Sequence, residues 1–77
     1  MSRLVLTDAK TFEKLLLKLG FKIIRQKGSH VFYRHAGGRY TTLPHHAKED
    51  MGRSLIRQIL REINLSPDEY HQLLSEI

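Results

Sequence analysis

Apolar residues along this chain follow two spacings, and the change comes near residue 20. Phe12, Leu15, Leu16 and Leu19 recur at i, i+3, i+4 and i+7, which places them on one face of a helix. Lys10, Lys14 and Lys18 take the solvent side. Thr7 or Asp8 offers a side-chain oxygen to cap the helix start, and Gly20 fits its C-terminal stop. Beyond it, three strand-like runs cover roughly 21–27, 30–35 and 39–44. Pro44 ends the third, because proline has no N–H to give to a central ladder. A loop from His45 to Asp50 leads into a second helical stripe of Leu55, Ile56, Ile59, Leu60 and Ile63. Arg53, Arg57 and Arg61 form a basic ridge beside it. Ser66-Pro67-Asp68-Glu69 opens a last helix with a cap, a proline in the first turn and acids on the positive end of the dipole. Tyr70, Leu73, Leu74 and Ile77 are expected to pack that helix inward.

The predicted order is α-β-β-β-α with a short extra C-terminal helix. Helices on one face of a small antiparallel sheet make an α+β two-layer sandwich, the layout of the double-stranded-RNA-binding domain. At 77 residues there is room for one core, so residues 1–77 read as a single domain.

The turns carry the sharpest local signal. Gly28-Ser29 between two strand-like runs predicts a two-residue hairpin, with Gly28 supplying the positive φ of a type II′ turn. His30 then starts the second strand. Ala36-Gly37-Gly38-Arg39 reads as another two-residue turn. Counting partners from these turns sets Lys27 opposite His30, Arg25 opposite Phe32, His30 opposite His45 and Phe32 opposite Leu43. One sheet face then carries Ile23, Phe32 and Leu43, with Lys27, His30 and His45 clustered at its end. The opposite face carries Ile24, Val31, Tyr33 and Tyr40. The first is the expected core face, and a slip of one residue would exchange the two.

Charge narrows the partners. Thirteen Lys and Arg against eight Asp and Glu give +5 and a pI near 9.9. A basic small domain meets something acidic, and nucleic acid heads the list. There are no cysteines, which excludes disulfides and thiolate metal sites and fits a reducing cytoplasm. Leu4-Val5-Leu6 is too short for a signal peptide, and no run approaches the ~20 apolar residues of a membrane span.

Histidine exchanges a proton near neutral pH, and His30 lies among Arg25, Lys27 and Arg34. That suits RNA cleavage through the neighbouring 2′-OH. A base takes its proton, an acid protonates the departing 5′-oxygen, and cations steady the phosphate. His30 is the candidate acid or base, with Arg25, Lys27 and Arg34 as phosphate holders. Ser29 and His46 join them as RNA-contacting candidates. His45, His46 and Tyr33 are candidates for the second proton carrier, and water is another. Tyr33 and Tyr40 read first as packing residues and second as stacking platforms. A metal site built from His30, His35, His45 and His46 lacks helical ligand spacing, with Glu49 and Asp50 as its nearest acids. The alternative function is a non-catalytic RNA-binding module that uses the arginine ridge with Lys14 and Lys18.

Several segments in order resemble the HicA family of toxins from bacterial and archaeal toxin–antitoxin pairs: Leu19-Gly20-Phe21, Gln26-Lys27-Gly28-Ser29-His30, Thr42-Leu43-Pro44-His45-His46, Ile59-Leu60 and Leu65-Ser66. The resemblance runs from Thr7 to about Leu74. It departs at the second helix, which opens Ser54-Leu55-Ile56 where relatives often read Gly-Thr-Leu. It implies a double-stranded-RNA-binding-domain-like fold and an mRNA endonuclease that arrests growth. It also implies His30 as the essential catalytic residue, with His46 of the Pro-x-His element secondary. The implied partners are mRNA and a HicB-like antitoxin that blocks the site, with no cofactor and no membrane.

Overall fold

The computed structural model describes residues 4–46 and 49–77. Ala47 and Lys48, within the expected 45–50 loop, and residues 1–3 of the expected domain lie outside them. The elements are α1 (Ala9–Lys18), β1 (Lys22–Lys27), β2 (His30–Arg34), β3 (Tyr40–Pro44), α2 (Arg53–Glu62) and α3 (Pro67–Glu76). The strands form one antiparallel sheet in the order β1-β2-β3. With the helices packed against it, this is the α+β sandwich of double-stranded-RNA-binding-domain type.

The helix ends follow local chemistry. The Asp8 carboxylate accepts from the Thr11 N–H at 3.0 Å. At the other end of α1, Phe21 N–H donates to Leu16 C=O and Gly20 N–H to Leu17 C=O, around Gly20 at φ +95°. That is a Schellman stop. α2 ends in the same way with Asn64 at φ 57°, where Leu65 N–H reaches Leu60 C=O at 2.9 Å. Ser66 and Glu69 form a reciprocal capping box at α3, with Pro67 in its first turn.

The core lies between the helices and one face of the sheet. Phe12, Leu15 and Leu16 of α1, Ile56, Ile59 and Leu60 of α2, and Tyr70 of α3 are buried against Val31, Tyr33 and Leu43. Phe12 and Tyr70 stack with ring centroids 5.5 Å apart. Removing a buried aromatic side chain such as Phe12 costs about 3–5 kcal/mol, a large share of a small domain's stability. Leu73 and Leu74 pack on the rim of this core, whereas Ile77 is exposed rather than turned inward as expected.

The sheet register corrects two sequence expectations. The second hairpin has a three-residue loop, Ala36-Gly37-Gly38. Gly38 N–H donates to His35 C=O and His35 N–H to Arg39 C=O, both at 2.8 Å, and Gly38 sits at φ +94°. This is a type I turn closed by a left-handed glycine. One extra loop residue shifts the ladder by one. His30 therefore pairs with Pro44, Val31 with Leu43, Phe32 with Thr42, Tyr33 with Thr41 and Arg34 with Tyr40. The core face carries Val31, Tyr33, Thr41 and Leu43, and not Phe32 with Leu43. In β1 the register shifts between Ile23 and Arg25, which makes Ile24 a bulge. Ile23 now pairs with Tyr33, while Arg25 faces Phe32 and Lys27 faces His30 as expected.

Hydrogen bonds from Thr11, its side chain first and its backbone N–H second, hold the Asp8 carboxyl below its ordinary 3.8. The stabilisation from this cap is complete above that value and fades as pH falls through the lower folded value. Asp8→Ala should lose about 1 kcal/mol in urea titrations at neutral pH, and the gap to the wild type should narrow in acid.

Candidate nucleic-acid interface

Alternation along β2 divides its side chains between two environments. Val31 and Tyr33 enter the core, while His30, Phe32 and Arg34 point to the outer face. The Gly28-Ser29 turn fixes the start of the strand. Gly28 has φ +60°, and Asn64 is the non-glycine residue with positive φ among those described, so Ser29 is not left-handed. This matches type II′. The Gln26 amide donates to Gly28 C=O at 3.2 Å, and His45 N–H donates to Ser29 C=O at 2.6 Å. The backbone under His30 is thus tied on both sides.

The outer face is basic. Lys27 lies directly across from His30 and Arg25 across from Phe32, with Lys22 across from Arg34 at the far end. Cα atoms of such pairs are about 5 Å apart, so the Lys27 ammonium can share a phosphate with the His30 ring. Arg34 is four residues along the strand from His30, roughly 13 Å, and would meet a different phosphate. The three strands contain no Asp or Glu. Without the bulge at Ile24, Lys22 and Lys27 would point to opposite faces, because their spacing is odd. The extra residue puts Lys22, Arg25 and Lys27 on the same side.

Arg25 stacks its guanidinium over the Phe32 ring at 4.6 Å, and Phe32 lies 6.2 Å from the Tyr40 ring on the next strand. His30, Tyr40, Thr42 and Pro44 line a groove of about 250 Å³ whose other wall is Leu55, Gln58 and Glu62 of α2. Arg25, Lys27, His30 and Arg34 thus share one face, and Ser29 forms the turn beside them. His46 lies on the loop after β3, exposed, with its N–H donated to Pro44 C=O at 3.1 Å.

His45 and Tyr33 do not join that face. The Tyr33 hydroxyl donates to Glu13 Oε1 at 2.5 Å and lies 2.8 Å from His45 Nε2. Its one proton goes to Glu13, so His45 donates its Nε2–H to the phenol oxygen. This network lies on the helix side and joins α1, β2 and the end of β3. The expected cluster of Lys27, His30 and His45 is therefore replaced by a Lys27–His30 pair above and a Glu13–Tyr33–His45 network below. Sequence reading passed over Glu13, whose partners lie 20 residues away or more. Burial first, and then the hydrogen bond and negative charge of Glu13, push the Tyr33 phenol well above its ordinary 10.0.

His35 packs on the Phe21 ring at 5.1 Å, and its Nδ1 accepts from the Gly37 N–H, far from His30 along the sheet. Among the described residues no three His, Cys, Asp or Glu side chains converge as a metal site. No described helix is long and apolar enough to cross a membrane.

Residues 9–65, about three quarters of the chain, match a family model described as the HicA toxin of bacterial toxin–antitoxin. No curated protein matches the chain significantly.

Tyr33→Phe leaves Glu13 and His45 without their shared partner and should cost about 1–3 kcal/mol in chemical denaturation. The raised phenol pKa makes the folded state hold its proton longer than the unfolded chain, so stability is full below pH 10.0 and falls above it. That alkaline fall should be shallower in Tyr33→Phe. A remainder should persist from Tyr70, whose pKa burial and then the charge of Asp50 push up to about 12.

Proposed function

The chain belongs to the HicA toxin family, and from that premise we propose that it is an endoribonuclease that cuts mRNA using the substrate's own 2′-OH. Membership makes it a toxin of a bacterial toxin–antitoxin system. His30 is the proposed general acid or base, and Lys27 and Arg25 hold the reacting phosphate. The supporting observation is the placement of His30. It is exposed at the first position of β2, on a backbone fixed by the Gly28-Ser29 turn, opposite Lys27 and in a sheet whose strands carry no carboxylate, with Glu62 of α2 on the far wall of the groove.

In this reading the 2′-oxygen gives its proton to a base and bonds to phosphorus as the bond to the 5′-oxygen breaks. The departing oxygen takes a proton from an acid. The products are a 2′,3′-cyclic phosphate and a free 5′-hydroxyl. The strand cations offset the charge that builds on the phosphoryl oxygens. DNA lacks the nucleophile and stays intact. Ser29 contacts the RNA from the turn. Arg34 meets a flanking phosphate. Of the three side-chain candidates for the second proton carrier, His46 remains on accessible surface, since His45 and Tyr33 are held by Glu13, and water stays open beside it.

A toxin of this kind has an antitoxin partner, which we take to be HicB-like and to block the face that carries His30. The setting is the cytoplasm, where mRNA is. The alternative is a basic module that binds RNA without cutting it. The arginine ridge favours it: Arg57 and Arg61 are exposed on α2 and line an open cleft with the start of α3. Lys18 contributes less to such a surface, being paired to Glu76 at 3.0 Å.

Purified wild-type protein should fragment mRNA in vitro, leaving cyclic phosphate ends, and arrest growth when expressed. His30→Ala should lower the cleavage rate by about 10²–10⁴ and restore growth, with its denaturation midpoint unchanged. RNA left intact by the wild type, or cut equally well by His30→Ala, refutes the assignment.

A further inference from the structure

The outer face of the sheet holds more than the cleavage chemistry needs. A proton-transfer residue and cations account for His30, Lys27 and Arg25. They leave unexplained an aromatic pair, Phe32 and Tyr40, kept at the surface of a 77-residue domain. Tyr40 is 45% exposed. It touches Phe32 diagonally across the strand pair and lines the groove that also includes His30. Phe32 is half-buried, with the Arg25 guanidinium over its ring. Arg25, Phe32 and Tyr40 therefore form one strip across all three strands, with the two rings tilted 43° to each other. Its Arg25–Phe32 pair lies one pleat, or roughly 7 Å, beyond the Lys27–His30 pair, and Tyr40, opposite Arg34, lies one pleat further.

We infer that this strip binds unpaired bases, so that the substrate at His30 is single-stranded RNA. The inference rests on the ribonuclease reading for its choice of nucleic acid and deepens it. Two features favour RNA as the occupant. Cationic side chains Lys22, Arg25, Lys27 and Arg34 frame the aromatics, and the strands that carry them have no acid, so the face is complementary to a phosphate backbone. The exposed Tyr40 ring and the Arg25 guanidinium plane over Phe32 provide π surfaces, on which any base can stack without regard to sequence. A paired base in an A-form helix cannot use them, because its faces are already stacked and its deep major groove excludes side chains. Domains of this layout commonly bind duplexes by shape, across successive minor grooves. This chain instead places its chemistry and its aromatics together on the sheet, as sheet-based single-strand readers do. The Arg25–Phe32 contact also stiffens the strip, which reduces the side-chain entropy lost on binding.

Fluorescence anisotropy tests this with full-length His30→Ala protein, a labelled single-stranded RNA and a hairpin duplex of the same composition. The single strand should bind at least tenfold tighter than the duplex. Tyr40→Ala, at an exposed position, should weaken single-strand binding roughly tenfold, and Phe32→Leu, which keeps apolar bulk but loses the ring, should do the same. Lys10→Ala on α1, away from the sheet face, should change it little. Equal or tighter duplex binding overturns the inference. So does unchanged affinity in both aromatic variants, or loss of antitoxin capture by these variants with RNA affinity intact, which would assign the strip to the protein partner. Because binding is read without cleavage, wild-type protein that fails to cut RNA would refute the ribonuclease reading alone.

Discussion

The side-chain alternation of β2 governs the molecule. Five residues serve the interior and the surface at once. Val31 and Tyr33 anchor the strand in a core built from α1, α2 and α3, and the same anchoring aims His30, Phe32 and Arg34 outward. A strand pinned through its buried side chains has little freedom to roll, so the orientation of the imidazole follows from the packing beneath it. The Glu13–Tyr33–His45 network adds a polar lock under the same strand, and the His45 backbone carries it to the carbonyl of Ser29. Core and basic outer face are separated here by the thickness of one sheet.

Much of this was legible in the sequence. The helical periods, the Asp8 cap, the Gly20 stop and the Ser66 capping box rest on interactions within a few residues, and they appear where local chemistry placed them. The Gly28-Ser29 turn fixed the Lys27–His30 pairing for the same reason. The second hairpin was harder. Ala36-Gly37-Gly38-Arg39 has two adjacent glycines, either able to take positive φ, so two- and three-residue loops are both sterically open. The strands did not decide between them. Val31 and Tyr33 on one side and Phe32 on the other are all apolar enough for a core. The choice depends on Glu13, far away on α1, which gives the Tyr33 hydroxyl a partner when that ring is buried. Phe32 needs no such partner but leaves Tyr33 in water if it takes the core.

The bulge at Ile24 was equally hidden. Nothing in Lys22-Ile23-Ile24-Arg25 marks an irregular residue, yet it gathers the cations of β1 on one side. A regular strand would have spread them over both faces and weakened the field at His30. The electrostatic character of the surface thus depends on a backbone irregularity as much as on composition. It also explains why a net charge of +5 on so small a chain has local force.

The first strand lies at the rim of the sheet and is exposed along its whole length, with Ile23 and Ile24 each half open to solvent. A bare, apolar rim of this sort invites another chain to extend the ladder, and with it aggregation. Here lysines bracket the segment at both ends and the irregular residue interrupts its hydrogen-bonding rhythm. The crowding of positive charge therefore also repels a second copy of the same strand, so the field of the outer face and protection of the sheet edge arise from a single set of side chains.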